Sequence, residues 1–211
     1  MYDFFKRTLD LIAGIGVLVL FLPVFVVTPI WMKLSTLGPV FYKQKRVGKN
    51  GVTFEIYKFR TMVINADEML MKDPEFAKRF KKKSGWKFDA DNDPRITKVG
   101  RFLRKFSLDE LPQVFNILKG EMSIVGPRAY RRDDVGDEIE EQLKLYPELR
   151  EEMKIVLTVK PGLTGPWQTS GRNKLPWDER VHLDYQYASR KSIWYDVELI
   201  LKTPSSMLSK W

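Results

Sequence analysis

From Leu11 to Trp31 the chain runs 21 residues without a charge, between flanks that are polar and basic. As a helix, such a run is long enough to cross a hydrocarbon core of about 30 Å. The flanks argue against a simple crossing. Lys6 and Arg7 precede the run, and Lys33, Lys43, Lys45 and Arg46 follow it, so the preference for positive charge on the cytoplasmic side draws both ends to one face. Pro23 lies near the middle, where a proline removes a helical hydrogen bond and crowds the preceding turn. A Pro-kinked helix that enters the bilayer and returns satisfies both observations. A spanning helix is the second reading. A signal peptide is the third, and Leu34-Ser35-Thr36-Leu37 makes a poor cleavage site for it. Residues 1–37 are read as an N-terminal re-entrant membrane helix and residues 38–211 as a cytosolic domain.

Beyond Gly38-Pro39, two apolar runs flank the turn Gly48-Lys49-Asn50-Gly51: Val40-Phe41-Tyr42, and the alternating Thr53-Phe54-Glu55-Ile56-Tyr57-Lys58-Phe59. That is the pattern of a β-hairpin. Residues 64–83 read as a helix ending in Lys78, Arg79, Lys81, Lys82 and Lys83, a cluster that fits a solvated face or attraction to anionic headgroups. Ile96, Val99, Phe102, Leu103 and Phe106 recur at helical spacing and leave Lys98, Arg101, Arg104 and Lys105 largely on the other faces. A short helix is predicted from Pro112 to Leu118, with proline in its first turn and Gly120 past its end. Residues 137–154 predict an exposed acidic helix, and 178–202 another, whose Trp194 and Tyr195, with Trp211 beyond, suit a lipid interface or a core. The fold class is α+β: a mostly helical domain with a small β-hairpin or sheet, on the membrane helix and further interfacial helices.

Composition narrows the chemistry. The length of 211 residues suits one catalytic domain plus an appendage. A net charge of +9 favours an anionic surface or ligand, nucleic acid or acidic membrane. Without cysteine there are no disulfides, thiolate nucleophiles or sulfur-ligated zinc. His182 is the only histidine, read as structural or exposed, so any metal is a hard cation held by oxygen.

Asp109 and Glu110 are adjacent carboxylates among Arg95, Lys98, Arg101, Arg104, Lys105 and Arg128. Such a set can hold phosphoryl oxygens and Mg2+, or supply a nucleophile. The bland reading of Ser107-Leu108-Asp109-Glu110 is a helix-starting capping box. It would put Pro112 at the fifth helical position, where a hydrogen bond is lost; a helix starting at Pro112 instead leaves both carboxylates on the preceding turn. Gly126-Pro127-Arg128 reads as a rigid turn presenting an arginine fork, and Pro161-Gly162-Leu163-Thr164-Gly165 with Gly171-Arg172 as a second loop of this kind. Asp91-Asn92-Asp93 does not begin a calcium loop, because Ile96 and Phe102 replace the required glycine and glutamate.

Taken in order, the Pro-kinked N-terminal helix, Lys58-Phe59-Arg60-Thr61-Met62, Asp93-Pro94-Arg95-Ile96-Thr97, Ser107-Leu108-Asp109-Glu110-Leu111-Pro112-Gln113, Met122-Ser123-Ile124-Val125-Gly126-Pro127-Arg128 and Lys160-Pro161-Gly162-Leu163-Thr164-Gly165 closely resemble the monotopic phosphoglycosyl transferases, the bacterial sugar transferases of glycan assembly. The resemblance covers nearly the whole chain. It implies transfer of a sugar 1-phosphate from a UDP-sugar to undecaprenyl phosphate with release of UMP, at the cytoplasmic face of the bacterial inner membrane, as the first membrane step of exopolysaccharide, capsule or O-antigen assembly. By that resemblance Asp109 is the nucleophile that forms an aspartyl phosphosugar, and Glu110, with Asp109, holds Mg2+. Arg95, Arg101, Arg104, Arg128 and Arg172 are the phosphate-binding candidates.

The implied partners are the UDP-sugar, undecaprenyl phosphate and membrane lipids, with a homodimer allowed and no role for nucleic acid. Two departures stand out. Ala129 replaces the second proline of the family's frequent Pro-Arg-Pro, which predicts a looser loop after Arg128, and Leu22 replaces the serine that often precedes the membrane-kink proline. The stretch Thr164-Gly165-Pro166-Trp167-Gln168, with Ser170-Gly171-Arg172, Asp184-Tyr185 and Ser192-Ile193-Trp194-Tyr195-Asp196, looks closer to the branch that often transfers galactose or glucose 1-phosphate, and an N-acetylated sugar stays open. The alternatives are a non-catalytic scaffold docked on anionic lipid and a Mg2+-dependent phosphohydrolase.

Overall fold

The computed structural model describes residues 2–72, 93–133, 136–171 and 175–208. Helices α1 (Tyr2–Leu20) and α2 (Leu22–Ser35) lead into strands β1 (Phe41–Val47) and β2 (Thr53–Phe59), then helices α3 (Ala66–Lys72), α4 (Lys98–Lys105) and α5 (Gln113–Lys119). Next come strand β3 (Ser123–Val125), the two-residue strands β4 (Arg132–Asp133) and β5 (Gly136–Asp137), and helices α6 (Glu138–Leu143) and α7 (Arg150–Val156). Strand β6 (Gly162–Thr164) and helices α8 (Pro166–Thr169), α9 (Trp177–Arg190) and α10 (Ile193–Leu208) complete the order. The protein is mostly helical, with small two-stranded sheets pairing β1 with β2, β3 with β6 and β4 with β5. The expected hairpin and the helices over Val99 and from Pro112 are present. Of the expected helix 64–83, residues 64–72 are described and are helical over Ala66–Lys72, while the basic cluster from Lys78 to Lys83 lies outside the described residues, as does Trp211.

Two compact units divide the chain: Met1–Leu20, Lys43–Tyr57 and Pro112–Trp211 form one, and Phe21–Tyr42 with Lys58–Leu111 the other.

In the first unit, one core gathers Phe54, Ile56, Ile117, Met122, Val125 and Tyr187, and a second gathers Val47, Tyr130, Ile139, Met153, Val156 and Val181. Strands β3 and β6 run parallel, with Ser123 opposite Gly162 and Val125 opposite Thr164. The first turns of α1 are fixed by their polar side chains. The Lys6 ammonium lies 3.0 Å from Asp196 and 3.5 Å from Asp10. Asp10 accepts hydrogen bonds from the Ser123 hydroxyl and the Ile124 N–H, and Arg7 donates to the carbonyls of Ile117 and Leu118. Farther along, Ile12, Ile15, Val19 and Leu20 are exposed.

Two expected helices are broken here. Asp137 caps α6 by accepting from the N–H groups of Ile139 and Glu140, but α6 ends at Leu143, and Pro147 opens a 3-10 turn before α7. A proline cannot continue the helical ladder, and Ile139, Leu143, Met153 and Val156 are buried, so this stretch is not one exposed helix. The 178–202 prediction splits at Lys191, whose backbone is extended; the Ser192 hydroxyl then accepts the Tyr195 N–H at the start of α10. Trp194 is 84% exposed, whereas Tyr195 packs on the core.

The second unit centres on Met32, Phe59, Val99 and Leu103. Pro23 does not kink a continuous helix. The chain breaks at Phe21, and Pro23 sits in the first turn of α2, where its missing N–H has no helical partner to lose. Among the described residues no single helix is long and apolar enough to cross a membrane; α1 and α2 meet that length and composition only together, with a break between them. Buried Arg60 donates to the carbonyls of Pro39 and Met62 and to the Thr36 hydroxyl, tying down the chain after α2. Helix α4 packs its Gly100 directly on the Thr61 carbonyl, a place a Cβ would fill. Its apolar face is narrower than the spacing suggested: Val99 and Leu103 are buried, while Phe102 and Phe106 are exposed, with Phe102 edge-on to Trp31.

Candidate active site

Ser107 adopts a left-handed backbone, φ +54°, and its side chain makes no capping hydrogen bond. The capping-box pattern therefore does not start a helix. Leu108–Glu110 form a single 3-10 turn, and Pro112 is the N-cap of α5, so both carboxylates stand on the turn before that helix. A non-glycine residue at positive φ is uncommon and costs on the order of 1 kcal/mol or more. Here it turns the chain sharply off α4 and places two successive carboxylates on a short, tight turn.

Two cations of the same unit act on the dyad. Lys58, at the end of β2, places its ammonium 2.6 Å from the Glu110 carboxylate. Arg104, on α4, is fixed by donating from Nε to the Thr61 hydroxyl at 2.9 Å, and its charge acts on Asp109. Burial pushes the Asp109 carboxyl up to about 6, with Lys58 and Arg104 pulling down and Glu110 adding to the rise. Asp109 is therefore a stronger base than the ordinary ionised aspartate expected from its sequence, yet still largely ionised at pH 7. The other candidates in this unit are placed differently. Arg101 is exposed on α4. Arg95 is buried, with its fork closed on Asp93 at 3.0 and 2.8 Å, so the structure gives it a packing role instead of a presented one.

Arg128 belongs to the first unit. Its backbone N–H donates to Asp184, which also accepts the Tyr130 hydroxyl. Its guanidinium lies 4.9 Å from the centre of the Trp167 ring, and Arg180 stacks on the same ring at 5.6 Å. The Arg128 Nε is buried without a hydrogen-bond partner. Asp184 is fully buried, which pushes its carboxyl up to about 7 against the pull of the Arg128 N–H, the Tyr130 hydroxyl and both arginine charges. The loop is not loose for want of a proline at position 129. Asp184 fastens Arg128, Arg46 donates to the Ala129 carbonyl, and a Cβ on Gly126 would meet the Lys160 carbonyl. Arg172 lies outside the described residues.

The profile of the bacterial sugar transferase family matches residues 1–210. The chain belongs to the bacterial sugar transferase family. It is 42% identical over 216 residues to the undecaprenyl-phosphate galactose phosphotransferase of Salmonella typhimurium, covering 98% of this chain and 41% of that one. To the UDP-galactose-lipid carrier transferase of Erwinia amylovora it is 39% identical over 215 residues, again 98% of this chain and 41% of the relative. To the exopolysaccharide production protein ExoY of Rhizobium meliloti it is 40% identical over 210 residues, 97% of this chain and 86% of that one. The chain thus spans about two fifths of the Salmonella and Erwinia relatives and most of ExoY.

Within this family member, Lys58 and Thr61 are site neighbours that stood in the stretch Lys58-Phe59-Arg60-Thr61-Met62 but not among the site candidates. A further signal was a lysine interrupting the apolar alternation of β2 at its end. His182 is exposed, with Nδ1 3.2 Å from Glu152, as its sequence suggested. Among the described residues no group of three or more His, Cys, Asp or Glu side chains gathers to hold a metal. Mg2+ is commonly held by one or two carboxylates together with substrate phosphates and water. The donor set of Asp109 and Glu110, two hard oxygen ligands on one turn, fits a Mg2+ ion that shares its coordination with a bound diphosphate.

Proposed function

We propose that this protein transfers a sugar 1-phosphate from a UDP-sugar to undecaprenyl phosphate at the cytoplasmic face of the membrane, through an aspartyl phosphosugar. The observation that carries the reading is the Asp109–Glu110 pair on its strained turn, flanked by Lys58 and Arg104, in a chain matched by the sugar transferase family along its length. A carboxylate oxygen of Asp109 attacks the β-phosphorus of the UDP-sugar. The bond from that phosphorus to the bridging oxygen breaks, and its electrons leave with UMP. An oxygen of undecaprenyl phosphate then attacks the same phosphorus, and the Asp109 carboxylate departs unchanged. No proton need leave Asp109, because the carboxylate form already predominates at neutral pH.

Lys58 and Arg104 offset the negative charge that accumulates as phosphoryl oxygens approach the dyad, which is where preorganised charge lowers a barrier most. Mg2+, held by Glu110 and Asp109, would neutralise the diphosphate and favour departure of UMP. Arg128, in the first unit, keeps a buried Nε without a hydrogen-bond partner and stays a phosphate candidate in its own right. The α1–α2 pair is read as a re-entrant membrane segment: Leu22, Val26, Val27, Ile30 and Leu34 of its second arm are exposed, apolar surface that water would not favour but lipid would. Galactose and glucose lead the sugars to be tried.

The deciding experiment measures UMP release by the detergent-purified full chain from a panel of UDP-sugars, with Mg2+ or EDTA and with or without undecaprenyl phosphate. Release that requires one sugar, the metal and the lipid is expected. No release across the panel from folded protein would overturn the proposal in favour of a docked scaffold. Lipid-independent release of sugar phosphate would point to a hydrolase.

A further inference from the structure

At the base of α1 the first unit contains a cavity of about 220 Å3 whose walls include Lys6, Arg7, Lys49, Lys160, Lys191 and Tyr2. None of these residues is assigned to the transfer chemistry. Their charges are unequally answered. Lys6 is paired with Asp10 and Asp196. Arg7 directs both terminal nitrogens at the neutral carbonyls that end α5. Lys191 stacks on the Tyr2 ring, and Lys49, Lys160 and Lys191 are in no ion pair among the described residues. Asp3 and Asp10 are the acids of the wall, and Asp10 is already engaged by Lys6, Ser123 and Ile124.

Lys160 and Arg7 converge. A Cβ on Gly120 would lie 3.5 Å from the Lys160 ammonium and 3.6 Å from the Arg7 guanidinium carbon, so both cations crowd one point at the end of α5. Burial, and then Arg7, hold the Lys160 ammonium below its usual range. The plain explanation is that these cations answer the helix end. A seven-residue helix offers about half a negative charge at its C-terminus, and Arg7 already satisfies the carbonyls there. That leaves an excess of positive charge around an open space, which an anion would relieve.

We propose that this cavity binds a phosphate ester, with its phosphoryl oxygens among Lys49, Lys160 and Lys191. Several ammonium groups with rotatable donors suit a tetrahedral oxyanion approached from different sides. About 220 Å3 is several times the ~30 Å3 share of one water, room for a phosphoryl group with a small polar attachment. Two sources supply that chemistry: the headgroup of an anionic phospholipid and a soluble phosphomonoester. Phe4 and Phe5, exposed on α1 beside Lys6 and Arg7, would bring the cavity to a membrane surface, where a headgroup is at hand.

The test uses the full chain in detergent or with vesicles, and compares the parent with Lys160→Gln/Lys191→Gln, with Lys49→Gln, and with Lys144→Gln/Lys154→Gln. The last pair is exposed, lies outside the cavity wall and carries the same charge change. The probes are glycerol 3-phosphate, read by thermal shift, and co-flotation with phosphatidylcholine vesicles with and without phosphatidylglycerol. The cavity double variant should weaken binding at least about tenfold, as expected for loss of charge-assisted contacts, while the control pair leaves it intact and UMP release stays at the parental level. Lost response to glycerol 3-phosphate assigns a soluble ester; lost preference for phosphatidylglycerol with no soluble response assigns a headgroup. Equal binding by parent and cavity variants, or equal weakening by the control pair, overturns the proposal. Should the double variant fail to fold, Lys49→Gln, on the exposed hairpin turn, carries the same comparison.

Discussion

Replacing Asp109 with asparagine should abolish turnover and, less obviously, stabilise the fold. Burial raises the Asp109 carboxyl from 3.8 to about 6. The folded protein therefore holds that proton more tightly than the unfolded chain, and folding is progressively penalised as pH rises from about 4 to about 6. A shift of about two units corresponds to about 3 kcal/mol once the group is ionised in both states. Asparagine has nearly the same shape and no charge to desolvate. Its advantage should be below about 1 kcal/mol at pH 4 and reach about 3 kcal/mol by pH 7. Denaturant unfolding of both proteins in one detergent, at steps of pH from 4 to 8, measures the gap.

The same ionisation sets the acid limb of the parental enzyme. A protonated Asp109 cannot attack, so kcat/KM should fall about tenfold per pH unit on the acid side of the Asp109 ionisation, which burial raises and bound Mg2+ would lower. Two unrelated observables thus report one group. A stability gap measured without Mg2+ that stays flat with pH would refute the argument that burial of this carboxylate sets both its basicity and its cost.

Lys58→Met should move the acid limb to higher pH than in the parent and lower turnover below that limb by about tenfold for each unit moved, because Lys58 is the leading charge holding Asp109 down; a pH–rate profile checks it. Gly100→Ala should destabilise by about 1–3 kcal/mol in thermal unfolding, since the new methyl meets the Thr61 carbonyl, and an unchanged Tm would show that α4 is free to shift. Lys6→Met should cost about 3–5 kcal/mol in denaturant unfolding by leaving buried Asp10 and Asp196 without their cation, and adding Asp196→Asn should recover part of the loss.

What periodicity can read, it reads well here. The hairpin follows from the alternation through Phe54 and Ile56, and α4 from Val99 and Leu103, because each pattern places a face toward a core. It reads poorly where a local signature competes with a tertiary one. Ser107 and Glu110 carry the spacing of a capping box, but the chain turns left-handed at Ser107 and delays the next helix to Pro112, where proline costs no hydrogen bond. Partners far apart in sequence leave no local trace at all. Lys58 meets Glu110 across 52 positions, and Arg128 meets Asp184 across 56.

The same blindness touches the membrane argument. Lys6 and Arg7 enter the sequence reading as free charges that orient a membrane segment, yet Lys6 is buried between two carboxylates and Arg7 is committed to the carbonyls ending α5. They act first as the clasp that holds α1 in the fold. What then favours lipid contact is the apolar surface left uncovered beyond that clasp, Ile12, Ile15, Val19 and Leu20 on α1, and Val26, Val27 and Ile30 on α2. On the proposed re-entrant reading, burying such side chains in lipid contributes about 1.5–3 kcal/mol each. A charge placed at Val27 should therefore weaken membrane retention far more than one removed at Arg7.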